Sequence, residues 1–359
     1  MTDMLELREP SGAFVRLEGW LRDRGFFAPG GEGLAADLYL GYGLSQTIRR
    51  DVTPPPPEPC PALPLLACRV RDPDEPAPTV EDRLEVGEWE LTWSENGYRD
   101  AVTSVRESIA RGDVYQVNLV QHLWAPFAGD PAALAARLTL LRPLHGEPVA
   151  GDGWAVVSAS PEVFLERRGR RLRTMPIKGT RPAGGAAELA ESEKDAAEHV
   201  MIVDLERNDL SRVCEPGSVR WPELMATRTL AGVEHMISTV EGTLREGAGL
   251  AEILEATFPG GSVTGAPKIA AVDLIAALEP VGRGASMGAL GRVYGNGDLD
   301  LVLTIRTFAV ADGRIHLWVG GGVVWDSEPA AEVEESWVKA RPLLEALRCS
   351  APVGALAVR

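Results

Sequence analysis

The sequence predicts an α+β fold of antiparallel hairpins and amphipathic helices, on three observations. The last third alternates strand-like segments with turn signals: Ser286 to Tyr294, a turn at Gly295-Asn-Gly-Asp298, Leu299 to Val310, a turn at Asp312-Gly313, and Arg314 to Trp325. Capped segments of helical period stand on either side of these strands. The length of 359 residues exceeds a minimal single-core domain and suits one large composite domain or two packed subdomains.

Lysine and arginine total 36 against 52 aspartates and glutamates, giving a net charge of -16. That balance repels phosphate backbones and anionic membrane surfaces, so neither nucleic acid nor a membrane is an expected partner. Acid is densest at Glu188 to Glu198 and Glu328 to Glu335, which fits solvated helix faces or, less commonly, metal sites. Cys60, Cys68, Cys214 and Cys349 show no Cys-x-x-Cys spacing, which argues for reduced thiols over zinc or disulfides. The first residues lack a basic region followed by an apolar run, and no stretch reaches bilayer-spanning length, so a soluble cytoplasmic protein is expected.

The elements follow in chain order. Phe14 to Trp20 reads as a short strand or helix, and Asp37 to Gly43 as a turn-bounded strand. Proline-rich connections at Pro54 to Pro61 and Asp72 to Pro78 flank an apolar segment, Ala62 to Val70, and set off an N-terminal subregion, 1–85, from the remaining 86–350. Ser94 caps a helix from Glu95 to Arg111 that Gly112 ends. In the strand Val114 to Trp124, alternation places Gln116, Asn118 and His122 on one face. Asp130-Pro131 starts a helix running to about Leu141. Trp154 to Ser158, Val163 to Arg168 and Arg171 to Met175 read as strands, which brings Glu162 near Lys178.

The segment Met175 to Gly184 sets Lys178 between Pro176 and Gly179, a constrained bend that a ligand can reach. On this segment alone a surface lysine and a functional one stand equally open. Ala186 to Asn208 is the longest predicted helix, with Asp195 and Glu198 on one face. Strands are expected at Ser218 to Trp221 and at Met225 to Leu244, the second centred on His235. After a helix from Leu250 to Thr257, Phe258 to Lys268 is a glycine-rich loop opening a helix from Ile269 to Leu278. It lacks the Gly-Lys-Ser/Thr succession of a phosphate-binding P-loop, and its backbone amides at a helix start suit a carboxylate. Arg306 falls mid-strand and needs an anionic partner, with Gly320-Gly-Gly322 leaving room for a ligand beside it. A final helix from Pro329 to Leu347 puts Glu332, Glu335 and Lys339 on one face, by itself the pattern of an exposed salt-bridged surface.

Taken together, Pro176-Ile-Lys-Gly-Thr180, Asp204-Leu-Glu-Arg-Asn-Asp209, Phe258-Pro-Gly-Gly-Ser-Val-Thr-Gly-Ala-Pro-Lys268, and Gly320-Gly-Gly with Glu332 and Glu335 resemble the successive motifs of the chorismate-utilising enzymes. The match runs in order from about Trp93 to Leu347. Lys178 resembles the para-aminobenzoate branch, whereas the anthranilate branch typically carries alanine there. The resemblance implies a single unit of antiparallel sheets in a sandwich flanked by helices, with the substrate in a cleft between its halves.

It also implies roles. Glu198 and Glu335 resemble direct Mg²⁺ ligands, with Asp195 and Glu332 in the same acidic shell. Arg306, Gly321 and Ser262 would hold the carboxylates of chorismate, with Thr180 and His235 as further contacts, and Lys339 and Gln116 beside the substrate. Gln116 stands where the water-activating members carry lysine, which argues against isochorismate or salicylate formation. Glu162 would protonate the departing C4 hydroxyl, and Lys178, reacting as the neutral amine, would attack C2 before ammonia displaces it at C4. The implied product is 4-amino-4-deoxychorismate, with ammonia from a separate glutamine amidotransferase subunit, since no glutaminase-like cysteine motif is present. The alternatives are an anthranilate-forming synthase and a non-catalytic chorismate-binding subunit. Two departures stand out: Ser286 replaces a common aromatic residue, and no Leu-Leu-Glu-Ser segment is found, so tryptophan feedback is not expected.

Overall fold

A computed structural model describes residues 4–72, 84–182, 184–230 and 233–348. Among them the backbone forms two antiparallel sheets. The larger, of 10 strands, runs Met4–Leu7, Leu66–Val70, Ala35–Leu40, Ala289–Tyr294, Leu299–Leu303, Val163–Arg168, Arg171–Met175, Val233–Thr243, Ile177–Pro182, and Arg220–Leu230 pairs with Val233–Thr243 as well. The smaller, of 8 strands, runs Gly265–Ala266, Gln116–Gly129, Arg314–Val323, Thr307–Ala311, Trp154–Ser158, Val149–Gly151, with Leu84–Val86 and Glu90–Leu91 also on Gln116–Gly129. One core joins them: Leu38, Leu165 and Leu301 of the larger sheet share it with Leu119, Val156 and Leu317 of the smaller, and Tyr39 meets Trp154 at 6.1 Å. Each such side chain removed from water contributes roughly 1.5–3 kcal/mol. The expected sandwich flanked by helices is the architecture found.

Local chemistry accounts for the helices. Ser94 Oγ accepts from Gly97 N at 3.1 Å, and Gly112 ends the helix Glu95–Arg111 in the left-handed region at φ 82°. Asp130 caps Pro131–Leu138 as predicted. Pro329–Ala346 packs on Arg314–Val323 and on Glu95–Arg111, and it contains Pro342. Among the described residues no helix is long and apolar enough to cross a membrane.

Phe14 to Trp20, read as a strand or a helix, lies in the helix Ala13–Arg22. Several other expectations are corrected. The long helix Ala186 to Asn208 is two helices, Ala186–Glu191 and Glu193–Ser211, because Ser192 leaves helical geometry and its hydroxyl accepts from Asp195 N at 3.2 Å. The strand Met225 to Leu244 is divided between Arg220–Leu230 and Val233–Thr243, paired antiparallel. Leu299 to Val310 is also two strands, and they belong to different sheets. Leu299–Leu303 lies in the larger and Thr307–Ala311 in the smaller, with Arg306 at φ 50° in the crossing between them. The last third is therefore two hairpins in two sheets, not one meander, and Arg306 is not mid-strand. The N-terminal strands complete the larger sheet through Ala35–Leu40 and Ala289–Tyr294. Cys60, Cys68 and Cys214 are buried and form no disulfide among the described residues, while Cys349 and most of the connection Asp72 to Pro78 lie outside the described residues.

A buried ion pair ties the loop before Lys268–Leu278 to Glu193–Ser211. Lys268 Nζ donates to Asp209 at 2.6 Å and to Thr257 O at 2.9 Å, with side chains 11% and 7% exposed. The P-loop-like lysine is thus used inside the protein. Lys268→Met, which strands the Asp209 charge, is expected to cost about 3–5 kcal/mol in urea unfolding at neutral pH. The loss should shrink in acid, where Asp209 can protonate.

Candidate active site

The site is built at the junction of both sheets. In Ile177–Pro182 the register with Val233–Thr243 shifts between Lys178 and Thr180, a bulge that needs Gly179 at φ 65°. A Cβ at Gly179 would stand 2.4 Å from Leu189 Cδ1 and 3.3 Å from Asp195 Cγ, so only glycine fits the bend. Lys178 Nζ donates to Ser262 O at 3.2 Å, across from the short turn Gly261–Val263. Ser262 Oγ donates to Glu162 Oε1 at 2.7 Å, and the Ile177 amide donates to the same oxygen at 3.3 Å. Ser262 therefore links the predicted acid to the predicted lysine, a role the sequence reading did not assign to it.

Glu162 is 4% exposed. Burial pushes its carboxyl up, and Ser262, Lys178, the Ile177 amide and Arg306 pull it back. A group so placed retains its proton above the usual carboxylate range. Among the described residues Arg306 has no side-chain hydrogen bond or ion pair, and burial pushes its guanidinium down against the opposing pull of Glu162. His235 is buried and kept neutral by burial and by Arg306, and the Gly179 backbone opposes them. Thr180 pairs with His235 along the strand, and its side chain is outside the described set. His199, to which the sequence assigned no role, holds Ser238 Oγ at 2.6 Å, while its buried Nδ1 has no partner among the described residues. Burial, then Lys178, pushes it down to about 4, so it is neutral. Glu206, also unassigned, is 6% exposed and pushed up to about 8 by burial, with the charge of Glu162 next in size.

The predicted acidic shell is only partly assembled. A Cβ at Gly321 would stand 3.0 Å from Glu335 Oε1, 3.1 Å from Lys339 Nζ and 3.4 Å from Glu332 Oε2, so these three side chains converge above that glycine. Lys339 donates to Glu335 at 2.7 Å and to Gly320 O at 2.8 Å. Asp195, in contrast, pairs with Arg181 at 3.0 Å, and Glu198 lies half-buried on its helix. No group of three or more His, Cys, Asp or Glu among the described residues is close enough to hold a metal ion. The donors Glu332 and Glu335 do fit a hard divalent cation in type, and the ammonium of Lys339 shows that a cation is stable against Glu335. The atoms nearest Gly321 and Gly322 are those of Glu335, Lys339, Glu332 and Gln116. The glycine run therefore opens toward these side chains instead of toward Arg306. Gln116 is fully buried, its Oε1 and Nε2 both without partners among the described residues, and Nε2 would stand 2.5 Å from a Cβ at Gly322. Ser286 is buried too, its Oγ 3.4 Å from Thr304 O.

Comparison with known proteins bears on this arrangement. The family described as chorismate binding enzyme matches residues 50–345. Anthranilate synthase component 1 of Streptomyces coelicolor is 42% identical over 72% of this chain and 53% of its own length. Aminodeoxychorismate synthase component 1 of Klebsiella aerogenes is 39% identical over 76% of this chain and 62% of its own length. The chain thus spans just over half to three fifths of the curated relatives it matches. Anthranilate synthase component I from Streptococcus pneumoniae superposes with a TM-score of 0.76 at 26% identity, covering 88% of this chain and 81% of that one. With its motifs in order and its family match spanning most of its length, the chain belongs to the chorismate binding enzyme family.

Proposed function

We propose that the protein aminates chorismate at C4, as a component 1 type aminodeoxychorismate synthase supplied with ammonia by a glutamine amidotransferase partner. The observation that carries this reading is the Lys178–Ser262–Glu162 connection, which joins an amine to a buried carboxyl whose hold on its proton burial strengthens. Glu162 gives its proton to the C4 hydroxyl, the C4–O bond breaks, and water leaves as Lys178 Nζ bonds C2. Ammonia then bonds C4 as the C2–N bond breaks. The Glu162 carboxylate takes the surplus proton of the new amine, so the sum is chorismate plus ammonia to 4-amino-4-deoxychorismate plus water. Arg306, cationic and uncommitted, suits a substrate carboxylate. Glu335 and Glu332, with Glu198, would be the residues to hold Mg²⁺, which would supply charge neutralisation at the ring carboxylate.

Incubation with chorismate, Mg²⁺ and ammonium tests this. The expected product is 4-amino-4-deoxychorismate, lost on chelation of Mg²⁺. Anthranilate would overturn it in favour of the second reading, which the 42% identity to the Streptomyces coelicolor enzyme favours.

A further inference from the structure

Each predicted acidic pair meets a cation of its own. Asp195 pairs with Arg181 at 3.0 Å, and Glu335 with Lys339 at 2.7 Å. The second contact is more than a pair along a helix surface. Lys339 Nζ also donates to Gly320 O at 2.8 Å, which ties the helix Pro329–Ala346 across to the strand Arg314–Val323. Around the point where Gly321 would carry a Cβ, Glu335 Oε1 stands at 3.0 Å, Lys339 Nζ at 3.1 Å and Glu332 Oε2 at 3.4 Å. Two carboxylate oxygens and one ammonium therefore meet at a spot that only glycine leaves open. With side chains 37% and 48% exposed, Lys339 and Glu335 are within reach of a hydrated ion.

An ammonium and a hard divalent cation seek the same partner, anionic oxygen at close range. Two cations on one pair of carboxylates repel each other, so an arriving ion favours the state in which the lysine has left. We propose that Lys339 is a tethered counter-ion for Glu335 and Glu332, which a divalent cation displaces as it binds. The flexible four-carbon stem lets the ammonium withdraw without moving the helix backbone. While it is seated, the two carboxylates are held together without mutual repulsion, and the apparent metal affinity is lowered by the fraction of time it stays there. The inference rests on the Mg²⁺ role given to Glu335 and Glu332 in the function proposed above.

Calorimetric titration of the full chain with Mg²⁺ alone, without chorismate, tests it. Lys339→Met is expected to tighten the Kd about three- to tenfold, the scale of one lost exposed ion pair plus the repulsion it relieves. Lys339→Gln, polar but uncharged, should tighten it by a similar factor and carries the test if Lys339→Met does not fold. Arg341→Met removes a cation from the same helix, one that pairs with Glu334 at 2.7 Å, and should move the Kd by less than about twofold. Unchanged or weaker Mg²⁺ binding in the Lys339 variants would overturn the inference. An equal gain from Arg341→Met would also overturn it, by reducing the effect to net charge. Mg²⁺ bound by neither wild type nor any variant would overturn the metal reading beneath it and the inference together, whereas an anthranilate product in the assay above would overturn the product assignment alone.

Discussion

Lys178→Ala is expected to lower amination of chorismate on the order of 10⁴-fold or more and to abolish any covalent adduct, while chorismate still binds. The lysine contributes one hydrogen bond to the fold, to Ser262 O. The bulge that presents it depends on Gly179, not on the lysine side chain. Intact-mass measurement on rapidly quenched mixtures reads the adduct, and titration calorimetry reads the binding. Loss of both together would make Lys178 a structural residue and remove the basis for covalent catalysis.

Glu162→Gln should cost about 10²–10⁴-fold in kcat, the usual yield of a general acid. The substitution keeps the shape and an oxygen for Ser262 and the Ile177 amide, so unfolding midpoints should move little. The pH profile separates acid catalysis from packing. Burial raises the Glu162 carboxyl, so the protonated, active form is full at low pH and is lost as pH rises through that raised value. Wild-type kcat/KM should carry an alkaline limb from this loss, and Glu162→Gln should lack it. A limb of the same position in both would assign the titration to another group.

Much of this architecture was legible in the sequence. The capped helix Glu95–Arg111, the hairpin strands Val163–Arg168 and Arg171–Met175, and the helix Leu250–Thr257 all stand where periodicity and turn chemistry put them. The crossing at Arg306 was not legible, because Leu299 to Val310 alternates without glycine or proline and an arginine in the left-handed region leaves no local mark. The break at Ser192 had a signal, a serine three residues before an acid, inside a run of strong helix formers that hid it.

The Lys178, Glu162 and Ser262 cluster was legible only in part. Pro176 and Gly179 marked the bend, but the hydrogen bonds joining the three residues close over 84 and 100 residues of chain, a separation no local pattern encodes. Glu206 and His199 were hidden for a related reason. On a helix with little amphipathic contrast, a glutamate or histidine facing inward looks like its exposed neighbours until tertiary packing buries it.

The seam between Ala35–Leu40 and Ala289–Tyr294 has a consequence for how the chain is made. The first described strands, Met4–Leu7, Ala35–Leu40 and Leu66–Val70, pair among themselves and, among the described strands, reach the rest of their sheet only through the much later strand Ala289–Tyr294. During translation they form a small ribbon whose Ala35–Leu40 edge stays open, and closure waits on a strand far along the chain. Such long-range pairing is slow, and an open edge is a template for wrong partners. A ribosome stalled before Ala289 would therefore display a sticky three-stranded fragment, making the nascent N-terminal ribbon a natural client for chaperones.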